Sequence, residues 1–174
     1  GNGGETPLHF AAHHGSLAGV KRLLAAKALP NIKSTSTEFT PLHLAASKGH
    51  SDIVKLLLDN SADVDSLDKK GVTPLMCAAG KYSTDWDKKL LSKTDVIQLL
   101  LNEGANSRIQ SKEGETAEDI AEKTERWAEW VAIRHPFNDN ENDLEMKGNN
   151  LRFDLIGDSK SSDTTFSSIV FTSL

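Results

Sequence analysis

The chain repeats itself, and that limits its fold more than any other property. Thr6-Pro7-Leu8-His9 returns as Thr40-Pro41-Leu42-His43 after 34 residues and as Thr73-Pro74-Leu75-Met76 after 33 more. Thr116-Ala117-Glu118-Asp119 follows after 43. The pairs Ala11-Ala12, Ala45-Ala46 and Ala78-Ala79 keep step, as do Leu23-Leu24, Leu57-Leu58 and Leu100-Leu101. The clearest copy is Thr40 to Asp65. Thr40 suits a helix N-cap and Pro41 the position after it, where no N–H is needed. Leu42, Leu44, Ala45 and Ala46 give a short apolar stripe, and Gly49 suits a left-handed helix end. Ser51 and Asp52 suit a second helix start, with Ile53, Val54, Leu56, Leu57 and Leu58 as its apolar face. The unit is helix, tight turn, helix, extended loop.

A period near 33 residues with T-P-L-H and two helices resembles the ankyrin repeat. The resemblance covers about residues 4–134. It implies an all-α solenoid: helix-turn-helix repeats joined by short β-hairpin fingers, three full repeats, and a C-terminal cap. The expected bounds are 4–36, 37–70, 71–113 and 114–137, followed by a tail at 138–174. A single repeat cannot bury its own apolar face, so stacking folds the chain.

The formal charge is −5, of which residues 138–174 carry −4. No nucleic-acid footprint is expected from such a balance. The lone Cys77 excludes an internal disulfide and agrees with an intracellular setting, cytoplasmic or nuclear, or a host cytosol for a bacterial effector. No apolar run approaches the roughly 18 residues of a membrane span. Gly1-Asn2-Gly3 opens the chain without Met, and a fragment is expected. The first repeat also begins without a polar cap.

His9 and His13 stand four apart, as a zinc pair on a helix would. No third ligand is near, so no metal or cofactor is expected. By resemblance, His9 is a structural histidine that bonds neighbouring loops, while His13 and His14 face the concave side as solvated surface or a partner contact. Glu38 stands where the other fingers have Gly71 and Gly114, which implies strain or another turn type. Phe39 packs on the next finger or meets a partner. Asp68, Lys69, Lys70 and Gly71 read as a solvated turn. Cys77 is expected to be buried and inert.

Residues 81–93 are an insertion. Tyr82, Trp86 and Leu90 share a face if it is helical, Asp85 and Lys89 pair beside them, and the resemblance places this turn away from the fingers. The aromatics pack back on adjacent repeats or form an interaction handle. Glu125 to Arg134 is expected to close the stack, with Trp127, Trp130, Val131 and Ile133 inward and Trp130 in the register of Val54. Its charges, Arg126 and Glu129 among them, are expected outside. The tail is acidic and Asn-rich to Asn150, then turn-rich, with a small hairpin or a flexible segment as alternatives. Thr172-Ser173-Leu174 resembles a PDZ-domain ligand.

The resemblance implies a monomeric, non-catalytic protein-binding module. The partner surface is expected at His13, His14, Phe39, Ser47, Lys48, Lys69, Lys70, Tyr82 and Trp86. The alternatives are a targeting module of a larger enzyme or effector, and a peptide ligand carried by the tail.

Overall fold

A computed structural model describes residues 3–82, 93–124 and 126–134. Eight helices lie among them. They are α1 (Pro7–His13), α2 (Leu17–Ala25), α3 (Pro41–Lys48), α4 (Ser51–Asp59), α5 (Pro74–Ala78), α6 (Thr94–Asn102), α7 (Ala117–Lys123) and α8 (Trp127–Arg134). The inner helices α1, α3, α5 and α7 pack in sequence, and so do the outer helices α2, α4, α6 and α8. The tail, Trp86, Leu90 and the Asp85–Lys89 pair lie outside the described residues.

Small residues let the layers meet. Ala12, Ala45, Ala46, Ala78, Ala79 and Ala121 have no exposed surface, and Val20, Ile53, Val54, Leu57, Val96, Ile97 and Leu100 fill the space between helix pairs. Each repeat covers the edge of the next. Leu44, Cys77 and Ile120 are 7%, 1% and 2% exposed, whereas Phe10 in the same register, with no repeat before it here, is 47% exposed. Burial raises the Cys77 thiol pKa far above its ordinary range, as expected of an inert thiol.

The T-P-L-H motif joins each repeat to the following finger. The Thr40 backbone N–H donates to His43 Nδ1 at 3.2 Å. That nitrogen is therefore an acceptor, and the ring proton sits on Nε2, which donates to the Val72 carbonyl at 2.9 Å. His9 repeats the arrangement, with Thr6 N–H at 3.1 Å and the Phe39 carbonyl at 2.8 Å. Both nitrogens of His9 are thus engaged, which removes it from any pairing with His13 around a metal. The same finger carbonyls also close their own turns, by Ser34 N–H to Phe39 and Asp68 N–H to Val72. Each finger is a tight turn closed by two backbone bonds, as by Asp68 N–H to Val72 and Gly71 N–H to Asp68, and no strand occurs among the described residues.

The finger turns need a left-handed residue, and they have one at Gly4, Glu38, Gly71 and Gly114, with φ of 69°, 60°, 73° and 78°. Of the two expectations for Glu38, strain is the one realised; a left-handed non-glycine residue costs about 1–2 kcal/mol. In the third repeat the left-handed helix end comes early. Gly15 and Gly49 end α1 and α3, but Gly80 (φ 113°) stands two residues ahead of that register and cuts α5 to five residues.

The last helix differs from expectation. It starts at Trp127, and its charges are not all outside: Arg126 and Glu129 are 5% and 4% exposed. Arg126 Nη1 donates to Glu129 Oε1 at 3.0 Å, and the backbone N–H of buried Lys93 donates to the same oxygen at 3.1 Å. Arg126 lies over Gly80, where a Cβ would meet its side chain at 2.9 Å. Trp130 does not occupy the fully buried place of Val54. It is half-buried against the core, under the Arg134 guanidinium at 4.9 Å, and Ile133 is the buried apolar residue among the described side chains of this helix. The Trp127 side chain lies outside the described residues.

Two outcomes follow. Burial holds His43 neutral and lowers its pKa to about 4. The unfolded chain gains this proton near pH 6.5, so stability falls as pH drops from about 6.5 to 4, by at most about 3 kcal/mol. Urea midpoints across that interval will show the loss, and His43→Met, the residue already present at position 76, will flatten it. Separately, Glu129→Ala removes the buried oxygen shared by Arg126 Nη1 and the Lys93 N–H and should cost about 1–3 kcal/mol. Hydrogen exchange will show α8 opening first, because repeats couple to their neighbours.

Candidate functional site

The three finger turns are joined backbone to backbone into one ridge. Ser36 N–H donates to the Gly3 carbonyl at 3.2 Å, Lys69 N–H to Thr37 at 3.0 Å, and Lys112 N–H to Lys70 at 2.9 Å. Lys69 and Lys70 stand exposed in the middle turn. Asp68 beneath them is not solvated as the sequence suggested: it is 5% exposed. Its Oδ1 accepts from Lys70 N–H at 2.7 Å and Val72 N–H at 2.8 Å. Its Oδ2 accepts from the Tyr82 hydroxyl at 2.6 Å. A carboxylate with three donors tolerates burial because each lone pair facing the protein is matched.

Tyr82 itself is in a turn, and the face it is expected to share with Trp86 and Leu90 lies outside the described residues. Its ring meets Phe39 edge-on, with centroids 5.2 Å apart, and Phe39 stacks on His43 at 5.6 Å and 15°. Phe39 thus sits half-buried at the base of its finger, packed between two rings. Burial, followed by the bond to Asp68, raises the Tyr82 pKa well beyond the ordinary phenol range. The root of the insertion consequently lies against the fingers, contrary to the placement away from them. Lys81 completes this arrangement through ion pairs with Glu113 and Glu115 of the third finger. Glu115 also pairs with Lys123 at 2.9 Å. The Lys81 ammonium, then Lys123, hold the Glu115 pKa down to about 2.

A second group lies at the far ends of α1 and α3. His13 is half-buried and His14 exposed, with rings 4.8 Å apart and nearly perpendicular. His50 Nε2–H donates to the His13 carbonyl at 3.2 Å. Burial, then the charge of Lys48, lowers the His13 pKa. Ser47 is half-buried, and its hydroxyl donates to the Leu44 carbonyl at 2.9 Å within its own helix. Trp86 lies outside the described residues.

Sequence reasoning missed Asp68, His50, Lys81 and Glu115 as parts of these groups. Asp68 carried a readable signal, since an Asp three residues before a turn glycine can take the turn's N–H groups. The Lys81 pairs carried none, because 32 and 34 residues separate the partners. Among the described residues no group of three or more His, Cys, Asp or Glu side chains is arranged to hold a metal. No helix among them is long and apolar enough to cross a membrane.

A family model for ankyrin repeats, in three copies, matches residues 8–93. The chain belongs to the ankyrin-repeat family. Ankyrin repeats are in general protein–protein interaction modules without catalytic groups. A probable E3 ubiquitin-protein ligase of Oryza sativa subsp. japonica is 40% identical over 88 residues, covering 50% of this chain and 20% of the relative. Neurogenic locus notch homolog protein 1 of Mus musculus is 33% identical over 138 aligned residues, covering 65% of this chain and 5% of its own length. Ankyrin repeat and SOCS box protein 3 of Homo sapiens is 38% identical over 141 aligned residues, covering 66% of this chain and 27% of its own length. The chain thus spans about a quarter or less of the relatives it matches.

Removing the Tyr82 hydroxyl leaves a buried carboxylate oxygen short of a donor. Tyr82→Phe should cost about 1–3 kcal/mol. Faster hydrogen exchange at residues 68–72, with α1 and α2 unchanged, is the expected readout.

Proposed function

We propose that this ankyrin-repeat chain is a non-catalytic adaptor that holds a protein partner across its finger ridge and inner-helix face. The observation that carries this is the ridge itself: three turns bonded backbone to backbone, with exposed side chains on a backbone that has little left to lose on binding. Lys69 and Lys70 are its central contacts, Phe39 and Tyr82 form its half-buried base, and His13, His14, Ser47 and Lys48 form the helix-end patch. Residues 1–137 are taken as the recognition domain and 138–174 as a separate tail. The setting is taken as intracellular, on the single buried thiol.

A second reading, a targeting module within a longer enzyme, is favoured by the rice relative named as a probable ligase, of which the chain spans 20%. Under that reading the groups described above still bind and do not catalyse.

The test is affinity capture with the full chain, followed by reciprocal binding of the captured protein. His14→Asp with Lys48→Glu, or Lys69→Glu with Lys70→Glu, should weaken binding about tenfold or more. Lys21→Glu with Lys55→Glu, on the outer helices, should leave it unchanged. Loss confined to the outer pair would place the partner on the opposite side and overturn the reading.

A further inference from the structure

We propose that the second finger turn seats a carboxylate-rich segment of the protein partner. The inference rests on the recognition reading above and adds the chemistry of the partner. Although the chain carries −5 overall, four lysines converge on residues 67–70. Lys33 Nζ donates to the Leu67 carbonyl at 2.7 Å, and Lys112 Nζ donates to the Lys69 carbonyl at 2.9 Å. Lys69 and Lys70 stand exposed between them.

Among the described residues, three acids of these finger turns have other partners. Glu38 offsets Lys33 at 3.6 Å. Glu113 is held by Lys81. Asp68 is buried beneath the turn, and its two oxygens are taken by Lys70 N–H, Val72 N–H and the Tyr82 hydroxyl. None of the three answers the charges of Lys69, Lys70 and Lys112.

The turn backbone is fixed. Asp68 pins it from within, and the bonds from Lys69 N–H to Thr37 and from Lys112 N–H to Lys70 pin it from both sides. Exposed lysines carried on a fixed turn favour a bound anion, and the backbone loses little freedom in binding it. Peptide carboxylates fit better than a nucleic-acid backbone. The patch is one turn wide, and its aromatic neighbours Phe39 and Tyr82 are packed against each other rather than offered to a base.

The probe is a fluorescein-labelled peptide of about twelve glutamates, read by anisotropy with the full chain at roughly 50 and 300 mM salt. Binding that weakens with salt is expected. Lys69→Glu with Lys70→Glu should weaken it at least about tenfold. Lys21→Glu with Lys55→Glu should change it by less than about twofold, and circular dichroism will show that both pairs stay folded. Equal loss in the two pairs would overturn the proposal. So would tighter binding of a labelled oligonucleotide of the same length that is lost with the same Lys69/Lys70 reversal. A captured partner lost with His14→Asp/Lys48→Glu but kept by the Lys69/Lys70 reversal would also sink this inference, while leaving the recognition reading intact. Capture unaffected by either pair would remove the recognition reading itself.

Discussion

Everything in this stack depends on a histidine ring that bridges one repeat to the next finger. His9 and His43 each take a proton from the N-cap backbone on one nitrogen and give one to a finger carbonyl on the other. The ring therefore ends a helix, closes a turn and sets the distance between repeats together. At His43 burial holds the ring neutral, as this pair of bonds requires. The finger carbonyl already holds one N–H of its own turn, so the histidine fills its second lone pair.

The third repeat lacks this bridge and is joined differently. Met76 is buried at the histidine position and has no ring nitrogen to offer. The short α5 instead delivers Lys81 to Glu113 and Glu115 and Tyr82 to Asp68. An ionic link and a phenol hydrogen bond thus connect the root of the insertion to two fingers. In the fourth repeat Asp119 takes the histidine's part towards the N-cap, accepting from Thr116 N–H at 2.8 Å and from its hydroxyl at 2.7 Å. One position, filled by His, His, Met and Asp, shows how the joint is made and what replaces it.

The opposite ends of the helices are joined by charge. Glu129 gathers Arg126 and the backbone of Lys93 in a place where all three residues are buried. Such a site is specific rather than strongly stabilising, because desolvation offsets much of the attraction while loss of one partner strands the other. Gly80 serves it twice, by ending α5 and by leaving room for the arginine.

The repeat, its helix pairs, the buried leucines and alanines and the inert thiol were legible in the sequence, because each depends on residues within one period and the period recurs. The turn chemistry at Glu38 was legible as a choice between two outcomes, and the structure realised the strained one. The environment of charged side chains was not legible. Asp68, Arg126 and Glu129 look like solvated charges in a line of residues and are buried in the fold. Whether a charge is exposed depends on which distant groups cover it: Tyr82 and the Lys93 N–H donate to Asp68 and Glu129, and Gly80 leaves the room that Arg126 fills. Local periodicity determined that this chain stacks helix pairs; three-dimensional packing alone decided which charges the stack buries and which lysines it leaves on the ridge, because those partners meet only after the repeats have docked.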